Sequence, residues 1–556
     1  MKQSQEEKIK SLKNRLSQLE ATRAKFEATW QETQSYVDNK IISFSDLAAI
    51  PTRPKRYSSA PCNYLYTLVS GMIGYSVSDS ITWFKLSTSD LELLKLYGVK
   101  DFLEAVERVM YARFISSNMY KSMVNFVHDA AVFGHSVLLI EEDSENNSIR
   151  YRKLPNNEVY MDINANGEVD TLFRKYLMTL RQCVEFFGEN NLDEQLRSDY
   201  QDETKWNDNV EIVMAVFPRK DYNPEYRDAE NKPYACIYFD KVHNRIIKET
   251  GYDDFPFAVF LWDRYDNYAY GSSPSQNALE DCKFLNIAER TACEIAQTSA
   301  KPPFKVSENI RQVNIMPGAF TYLDDANSIL EAIKTGENYP ISLEVKEAKK
   351  QDVKDWFYVD FFLMLQSRTR NNMTATEVQE LQGEKAATLS NVIVNLNDAL
   401  QKIIQRTFDI SLRQDALPPI PTAIREKAGS LKVEFLGPLA QMQRKYHSMG
   451  GTLQALQVMG PIMQLFPNAG DFIDPDELMK TTMEGQGLPQ NVIREDEDVK
   501  RIRQERIIEQ QQQQQQAMQM QMAQNLMQNA DKLGKGVEEG SPMEMLNQQL
   551  AGGMNG

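Results

Sequence analysis

The N-terminal segment carries apolar side chains at alternating spacings of three and four, which predicts a helix with one apolar face. The apolar positions are Ile9, Leu12, Leu16, Leu19, Phe26 and Trp30. Arg23 interrupts this series, and Glu and Lys residues fill much of the remainder. Two arrangements are open, because such a helix either lies on its own domain or pairs with a neighbouring subunit.

Residues 41–62 contain three prolines and are predicted to form an extended arm. Helical patterning returns at residues 64–75, and a short strand-like run follows at residues 81–86. Two further helices are predicted over residues 91–117 and 119–133.

From His135 onward the apolar period changes to two, which is typical of strands. Short β-rich runs are separated by Asn, Asp and Gly residues, and they occupy residues 136–142, 149–154, 158–161, 169–177, 210–217, 235–239 and 245–249. A polar stretch near residues 181–207 has helical character. The pattern predicts an antiparallel β-region with one helical insert.

A long helix is predicted to begin after this β-region. Ser273, Pro274 and Gln276 form a capping box with proline at the first helical position. The helix is predicted to stop at Lys301, because two prolines follow that residue. A mixed segment then extends over residues 302–343.

A second long helix is predicted for residues 344–368, polar in its first half and rich in aromatic residues in its second. Thr374 and Glu377 belong to another capping box, which starts a third helix reaching about residue 414. A lone strand is predicted at residues 431–435, followed by a Met-rich helical segment.

The end of the chain differs in composition from the rest. Gln510–Gln516 is an unbroken glutamine run, and methionines recur after it. Low complexity favours disorder. The alternative is a long helix that is ordered only by packing against copies of itself.

The composition disfavours several classes of protein. The 556 residues include 62 basic and 78 acidic side chains, a net charge of −16 at pH 7. This balance argues against a surface that captures nucleic acid by neutralising phosphates. The five cysteines are widely spaced, which disfavours a disulfide scaffold or zinc site and favours a cytosolic setting. The sequence supports neither export nor a membrane-spanning segment.

Catalytic motifs are absent from the sequence: it contains no phosphate-binding loop, dinucleotide fingerprint, zinc-protease motif or nucleophile elbow. His128 and His135 are seven residues apart, but Gly134 interrupts their helix, so ordinary packing is favoured over a metal site. The carboxylate pairs Asp324-Asp325 and Glu141-Glu142 lie in polar contexts. We therefore predict no enzyme, no cofactor and no metal.

The first long helix carries small residues that allow close approach of neighbouring helices: Ala278, Cys282, Ala288, Ala292, Cys293 and Ala296. Alone, a pair of such helices would leave apolar surface in water. Packing of many copies around a ring would bury this surface. A helical bundle within one chain would also bury it.

Several ordered motifs resemble one family, the portal (head-to-tail connector) proteins of short-tailed, T7-like bacteriophages. The motifs are Leu68–Met72 with Trp83–Leu86, Asn125-Phe126 with Ala131–Ile140, Tyr270–Pro274, and Met373–Val378. No single motif is specific, but their order and spacing are preserved over about residues 25–450.

The resemblance implies an α+β fold, the phage portal fold with long stem helices, a β-rich wing, a small mixed clip and a helical C-terminal crown. The implied segments are an N-terminal helix and arm (1–62), wing (63–272), first stem helix (273–301), clip (302–343), second stem helix (344–368), tunnel loop (369–373), wing helix and return strand (374–440), crown (441–509) and tail (510–556).

The resemblance also implies a ring of twelve subunits that forms a DNA channel at one capsid vertex. Its implied partners are capsid and scaffolding proteins, terminase, tail adaptor proteins and passing double-stranded DNA. The family's tunnel loop corresponds to Arg368, Thr369, Arg370, Asn371 and Asn372. These residues are predicted to contact phosphates without sequence preference. The alternative is a polar turn whose arginines pair within the protein.

The expected location is the virion, after assembly in the host cytoplasm. The runner-up function is another homo-oligomeric virion scaffold, such as a tail adaptor or a capsid-associated protein. An unrecognised enzyme is the third possibility. A perforated ring in electron micrographs would favour the channel over both of these.

Overall fold

The structure is a computed structural model. It describes residues 5–49, 51–52, 54–88, 98–143, 146–220, 222–223, 226, 228–308, 313, 329–333, 339–366, 389–422, 431–439, 476, 479 and 496–530. The chain divides into two compact units, Met1–Gly450 and Gly451–Gly556. The first unit contains most of the described residues.

Twelve α-helices lie within the described residues. They are α1 Gln5–Val37, α2 Ala60–Ser76, α3 Val99–Ser116, α4 Met119–Phe133, α5 Leu180–Phe187, α6 Glu194–Tyr200, α7 Pro274–Asn277, α8 Leu279–Ala300, α9 Tyr339–Trp356, α10 Val359–Gln366, α11 Ser390–Arg413 and α12 Asp496–Ala530. None of them is long and apolar enough to cross a membrane. Helix α4 has the bounds that the sequence predicts, and α2 begins slightly earlier, with Pro61 in its first turn.

Fourteen strands lie within the described residues. They are β1 Phe84–Thr88, β2 His135–Asp143, β3 Ser148–Leu154, β4 Val159–Ile163, β5 Val169–Thr179, β6 Asn209–Pro218, β7 Tyr234–Asp240, β8 Arg245–Tyr252, β9 Phe257–Leu261, β10 Asp263–Arg264, β11 Gly271–Ser272, β12 Phe304–Val306, β13 Leu330–Ala332 and β14 Leu431–Phe435. The fold is therefore α+β, as the sequence predicts.

The β-region is divided into two antiparallel sheets. Strands β4 to β8 form a five-stranded meander in sequence order, and β2 lies between β3 and β9 in a three-stranded sheet. Strand β9 was not predicted, because its sequence, FAVFL, is a short apolar run without alternation. The predicted insert corresponds to α5, α6 and a 3-10 turn at Glu203–Lys205 between β5 and β6.

Helix α1 packs on its own domain, which decides between the two arrangements left open by the sequence. Leu12, Leu16 and Leu19 form a core cluster with side chains of the five-stranded sheet. At the start of the helix, the Lys8 ammonium lies 2.7 Å from the Glu249 carboxylate on β8.

Arg23 interrupts the apolar series of α1 and is nevertheless buried, with 1% of its surface exposed. Its Nη1 donates to the carbonyl oxygens of Asn157 at 2.9 Å and Val159 at 3.0 Å. Its Nε donates to Glu27 Oε1 at 2.7 Å, and its guanidinium lies 3.8 Å from the ring centre of Tyr160. Arg23 thus links α1 to the segment that joins the two sheets.

The side-chain amide of Asn118 forms hydrogen bonds with the backbone of β3 at its outer edge, where no strand of the described residues pairs with it. Asn118 lies between α3 and α4, and its Nδ2 donates to the Tyr151 carbonyl oxygen at 2.7 Å. The Tyr151 N–H donates to Asn118 Oδ1 at 3.0 Å. The asparagine amide therefore satisfies backbone groups that an edge strand leaves unpaired.

The predicted lone strand, β14, has a partner in the N-terminal part of the chain. It pairs antiparallel with β1, and Leu86 is opposite Val433. The pairing joins segments that lie about 350 residues apart along the chain. Helix α11, which precedes β14, buries the apolar side chains of Val392, Leu396, Leu400 and Ile403.

The described part of the second unit is mainly α12. This helix contains the glutamine run Gln510–Gln516. Its apolar side chains Ile507, Ile508, Met518, Met520 and Met522 are exposed. Residues 531–556 lie outside the described part of the chain.

Candidate functional site at the base of two long helices

The predicted capping box is present and starts the first long helix. Ser273 Oγ accepts from the Gln276 N–H at 3.0 Å, and Gln276 Oε1 accepts from the Ser273 N–H at 3.2 Å. Pro274 is the first helical residue. Helices α7 and α8 then run almost without interruption to Ala300, and Lys301 is the C-cap. The two helices together cover residues 274–300.

The same capping box anchors the helix to the end of α4. Ser273 Oγ donates to the Val132 carbonyl oxygen at 2.8 Å, and Gln276 Nε2 donates to the Phe133 carbonyl oxygen at 3.2 Å. Both carbonyls belong to the last turn of α4, whose acceptors have no partner within that helix. The capping side chains of the long helix therefore satisfy two terminal carbonyls of α4.

We expect Ser273→Ala to lower the free energy of unfolding by about 2 kcal/mol, because it removes a cap and leaves a buried carbonyl without a donor. Urea unfolding followed by circular dichroism measures the change. Thr179→Ala is the matched control, since Thr179 forms the capping box of α5 with Gln182 at a half-buried position. An equal loss in both variants would contradict the anchoring role of Ser273.

Gly134 and Gly271 allow the backbone to cross itself beside this anchor. Gly134 caps α4 with φ +83°. A Cβ at this position would overlap the Gly271 carbonyl oxygen and lie 2.6 Å from its carbon. The Gly134 carbonyl oxygen also accepts from the Trp262 N–H at 3.0 Å. The helix–glycine–strand motif and the Tyr-Gly-Ser-Ser-Pro motif are therefore two sides of one backbone contact.

A buried aromatic cluster fills the space behind this crossing. The ring of His135 lies 4.8 Å from that of Trp30 on α1 and 5.0 Å from that of Tyr270. The Tyr270 hydroxyl accepts from the Met161 N–H at 3.3 Å. Burial lowers the pKa of His135 to about 3, so its ring is neutral. His135 Nδ1 lies 3.3 Å from the Phe133 carbonyl oxygen, which assigns the ring proton to Nδ1.

This buried ring makes stability depend on pH. Below about pH 6.5 the unfolded chain protonates His135 and the folded chain does not. The free energy of unfolding is therefore expected to decrease as the pH is lowered. From this residue alone the decrease is about 1.4 kcal/mol per pH unit between pH 6 and 4. Urea midpoints of the wild type and His135→Phe test this. The variant should show the shallower pH dependence, and parallel curves would contradict the prediction.

The two long helices pack against each other and are linked by ion pairs. The Lys346 ammonium on α9 lies 3.0 Å from the Glu289 carboxylate, and that of Lys349 lies 2.9 Å from Asp281. Apolar side chains on both helices are exposed, namely Phe284, Ile287, Leu343, Val345, Trp356 and Leu363. In one subunit, the helix pair therefore leaves apolar surface uncovered.

The second long helix differs from its predicted form. It begins at Tyr339 rather than residue 344, and it breaks between α9 and α10, where Tyr358 adopts φ +52°. Phe357 and Val359 are both buried. In an unbroken helix these two positions would point about 200° apart. The break lets both side chains enter the same core.

Helix α10 is held on α2 by a close approach at a glycine. A Cβ on Gly71 would lie 2.7 Å from Phe362 Cε1. Gly71 belongs to the early helix motif, and its missing side chain makes room for the Phe362 ring. The motif at residues 68–72 thus positions the end of the second long helix.

The predicted tunnel-loop residues Arg368, Thr369, Arg370, Asn371 and Asn372 lie outside the described residues, as do the helix-start residues Thr374 and Glu377. Most of residues 302–343 also lie outside them. What the structure describes there is the antiparallel pair β12 and β13 and the first residues of α9.

His128 and His135 do not share a site. The Nε2 of His128 lies 3.3 Å from Asp38 Oδ1, and its Nδ1 lies 3.1 Å from Asp129 Oδ1. Lys153 on β3 is ion-paired with Asp129. No group of three or more His, Cys, Asp or Glu side chains suited to a metal ion is present among the described residues.

The structural roles of Arg23 and Asn118 were not predicted from the sequence. Arg23 was visible as a break in the apolar series, and a charged residue within a buried seam is a signal of a buried polar contact. Asn118 gave no comparable signal, because its partner is a backbone segment more than thirty residues away.

Comparison with known proteins gives consistent results. A family model described as bacteriophage head to tail connecting protein matches residues 9–493. The portal protein of Salmonella phage epsilon15 is 28% identical over 514 residues, which cover 90% of this chain and 91% of that protein. A protein of Bordetella phage BPP-1 named probable portal protein is 28% identical over 519 residues, covering 90% and 92%.

Proposed function

The chain belongs to the bacteriophage head to tail connecting protein family, and we propose on this premise that it is a portal protein. It forms a channel at one capsid vertex, through which double-stranded DNA enters during packaging and leaves during ejection. The resemblance drawn from the sequence motifs is thus confirmed at the level of the family. The near full-length match carries this conclusion.

We propose a ring of twelve subunits in which the helix pairs stand side by side as the stem. The exposed apolar side chains of α8 and α9 support this arrangement, because neighbouring helix pairs would cover them. Residues 63–272 with 374–440 would form the wing, residues 302–343 the clip and residues 441–509 the crown. Residues 510–556 would form the tail.

We propose that Arg368 and Arg370, with Thr369, Asn371 and Asn372, contact phosphates of the passing duplex. The net charge of −16 per subunit makes a largely acidic channel wall, on which a duplex does not adhere. A few basic side chains at one level then contact DNA without holding it tightly.

The proposed partners are capsid and scaffolding proteins, the terminase and then tail adaptor proteins. The protein is a structural component of the virion, assembled in the host cytoplasm. It has no catalytic part, and the terminase supplies the ATP hydrolysis that drives packaging. The other virion scaffolds considered from the sequence do not require the anchored helix pair.

Electron microscopy of the purified full-length protein tests the assembly. We expect cone-shaped rings with a central hole, and no ATP hydrolysis above that of a blank without protein. A compact monomer with a closed pocket, or significant intrinsic ATP turnover, would contradict the proposed function.

The DNA contact is tested by the double variant Arg368→Ala with Arg370→Ala. Binding of linear duplex to its rings should be weaker and should depend less steeply on salt, since fewer phosphates are neutralised. Arg181→Ala, which removes an exposed arginine of α5, is the control and should change neither quantity. Unchanged binding by the double variant would contradict the phosphate contacts.

A further inference from the structure

A groove of about 420 Å³ lies between α11, the two sheets and the β4–β5 turn. Its floor is apolar and aromatic, with Tyr234, Phe255, Phe257 and Val259. One stripe of α11 forms a wall, and Glu168 and Asp170 contribute to the rim. The groove is open to solvent on one side and lies wholly within the first unit.

The groove carries more negative than positive charge. Its lining includes five carboxylates, Glu168, Asp170, Asp254, Asp398 and Asp409, and three basic side chains, Arg264, Lys402 and Arg406. Each basic side chain already has a partner in the groove region. Arg406 Nη1 lies 3.2 Å from Asp254 Oδ2, Lys402 Nζ lies 3.2 Å from Asp398 Oδ2, and Arg264 donates to the Gly167 carbonyl oxygen.

The excess of negative charge affects the ionisation of Asp409, which lies near Asp254 in the groove. Burial and the neighbouring Asp254 charge raise the pKa of Asp409, although Arg406 and Arg413 oppose the shift. The groove therefore suits an occupant with basic side chains on an apolar or extended backbone.

The chain contains a segment of this chemistry, the basic arm of residues 51–57. Its sequence, PTRPKRY, has three basic residues, no acidic residue and two prolines that favour an extended backbone. The Lys55 side chain is exposed and lies over the Tyr57 ring at 5.3 Å. Among the described residues, no carboxylate forms an ion pair with Lys55.

Within its own subunit the basic arm is held elsewhere. The Tyr57 N–H donates to Asn286 Oδ1 on α8 at 2.8 Å, and Arg56 Nη2 donates to Asn39 Oδ1 at 2.9 Å. None of the described residues that line the groove is bonded to the arm. The exposed part of the arm is therefore available to a partner outside its own subunit.

Both features contact the first half of the first long helix. The groove reaches it through Arg264, which pairs with Gly271 just before the capping box. The arm reaches it at Asn286, roughly 18 Å along the helix from Pro274. If the first long helices of neighbouring subunits stand side by side, as the proposed function requires, the groove of one subunit and the arm of the next both lie along the first half of these helices, with roughly 18 Å between their levels.

We propose that the groove of each subunit receives the basic arm of the neighbouring subunit, with Lys55 facing the Glu168 and Asp398 carboxylates. The contact joins two different surfaces, which is the kind of interface that closes a ring. This inference rests on the proposed ring, and it assigns the ring a second contact away from the helix pairs.

Disulfide trapping in the full-length protein tests the contact. Lys55→Cys is combined with Glu168→Cys or with Asp398→Cys, in a Cys293→Ser background because Cys293 is an exposed cysteine. Lys100→Cys with Asp398→Cys is the control, since Lys100 is an exposed lysine of α3. Rings are first confirmed by electron microscopy and then mildly oxidised.

We expect the monomer band to be lost to a ladder of linked subunits in at least one Lys55 pair, and to be retained in the control. Rings that form but give no ladder with either pair would overturn this inference and leave the proposed function standing. A rise in the melting temperature of intact rings with spermidine, abolished by Asp398→Asn, would show an open groove and would also overturn it. Absence of rings would count against the proposed function itself.

Discussion

Gly134→Ala is expected to prevent the protein from folding stably. The φ of +83° alone costs an alanine about 1–2 kcal/mol. The added methyl group would also overlap the Gly271 backbone, which cannot rotate away as a side chain does. Because Gly271 lies two residues before Ser273, the first residue of the capping box, any relief of this overlap displaces the start of the first long helix. A total loss above about 4 kcal/mol is expected.

The measurements are soluble yield, thermal unfolding and ring formation by electron microscopy. Gly98→Ala is the matched control, since Gly98 has a φ of +81° but no atom of the described residues lies within 4 Å of an added Cβ. That variant should lose only the conformational part, about 1–2 kcal/mol, and still form rings. Similar behaviour of the two variants would show that the backbone crossing is not tight.

Arg23→Met is expected to lower the free energy of unfolding by about 3–5 kcal/mol. Methionine matches the length of the side chain but donates no hydrogen bond. The substitution leaves the buried carbonyl of Val159 and the half-buried carbonyl of Asn157 without this donor, and half-buried Glu27 without its partner. It also removes the contact of the guanidinium with the Tyr160 ring.

Urea unfolding measures this loss, and Arg15→Met provides the comparison on the same helix. Arg15 is half-buried, donates to Thr171 Oγ1 at 2.9 Å and lies over the Phe217 ring. Its replacement is expected to cost about 1 kcal/mol or less. If the two variants unfold at the same urea concentration, Arg23 does not hold α1 on the sheets.

Short sequence patterns were sufficient to predict those elements whose bounds depend on residues close together along the chain. The capping box at Ser273, the proline stop after Lys301 and the bounds of α4 all follow from residues that contact their near neighbours along the chain. The same is true of most strands, whose alternating pattern reflects one buried face.

The sequence was insufficient where distant segments decide the structure. The pairing of β1 with β14 depends on segments far apart in the chain, and no local pattern identifies either partner. The break at Tyr358 arises because the core surrounds both Phe357 and Val359. Arg23 resembles a defect in a surface helix until the carbonyls that surround it are known.

The candidate site likewise has one part that the sequence predicts and another that it does not. The start of the first long helix could be predicted to the residue, whereas its attachment to Val132 and Phe133 could not, because that attachment requires the fold. The groove was equally inaccessible to sequence reasoning, since it is lined by residues from β2 to α11.

The pairing of β1 with β14 has a consequence during synthesis. A ribosome that adds about 5–20 residues per second needs roughly 20–70 s to proceed from β1 to β14. Until then the nascent chain presents β1 without this neighbour. Completion of the subunit, and hence its admission to an assembly, is delayed until translation has passed residue 435.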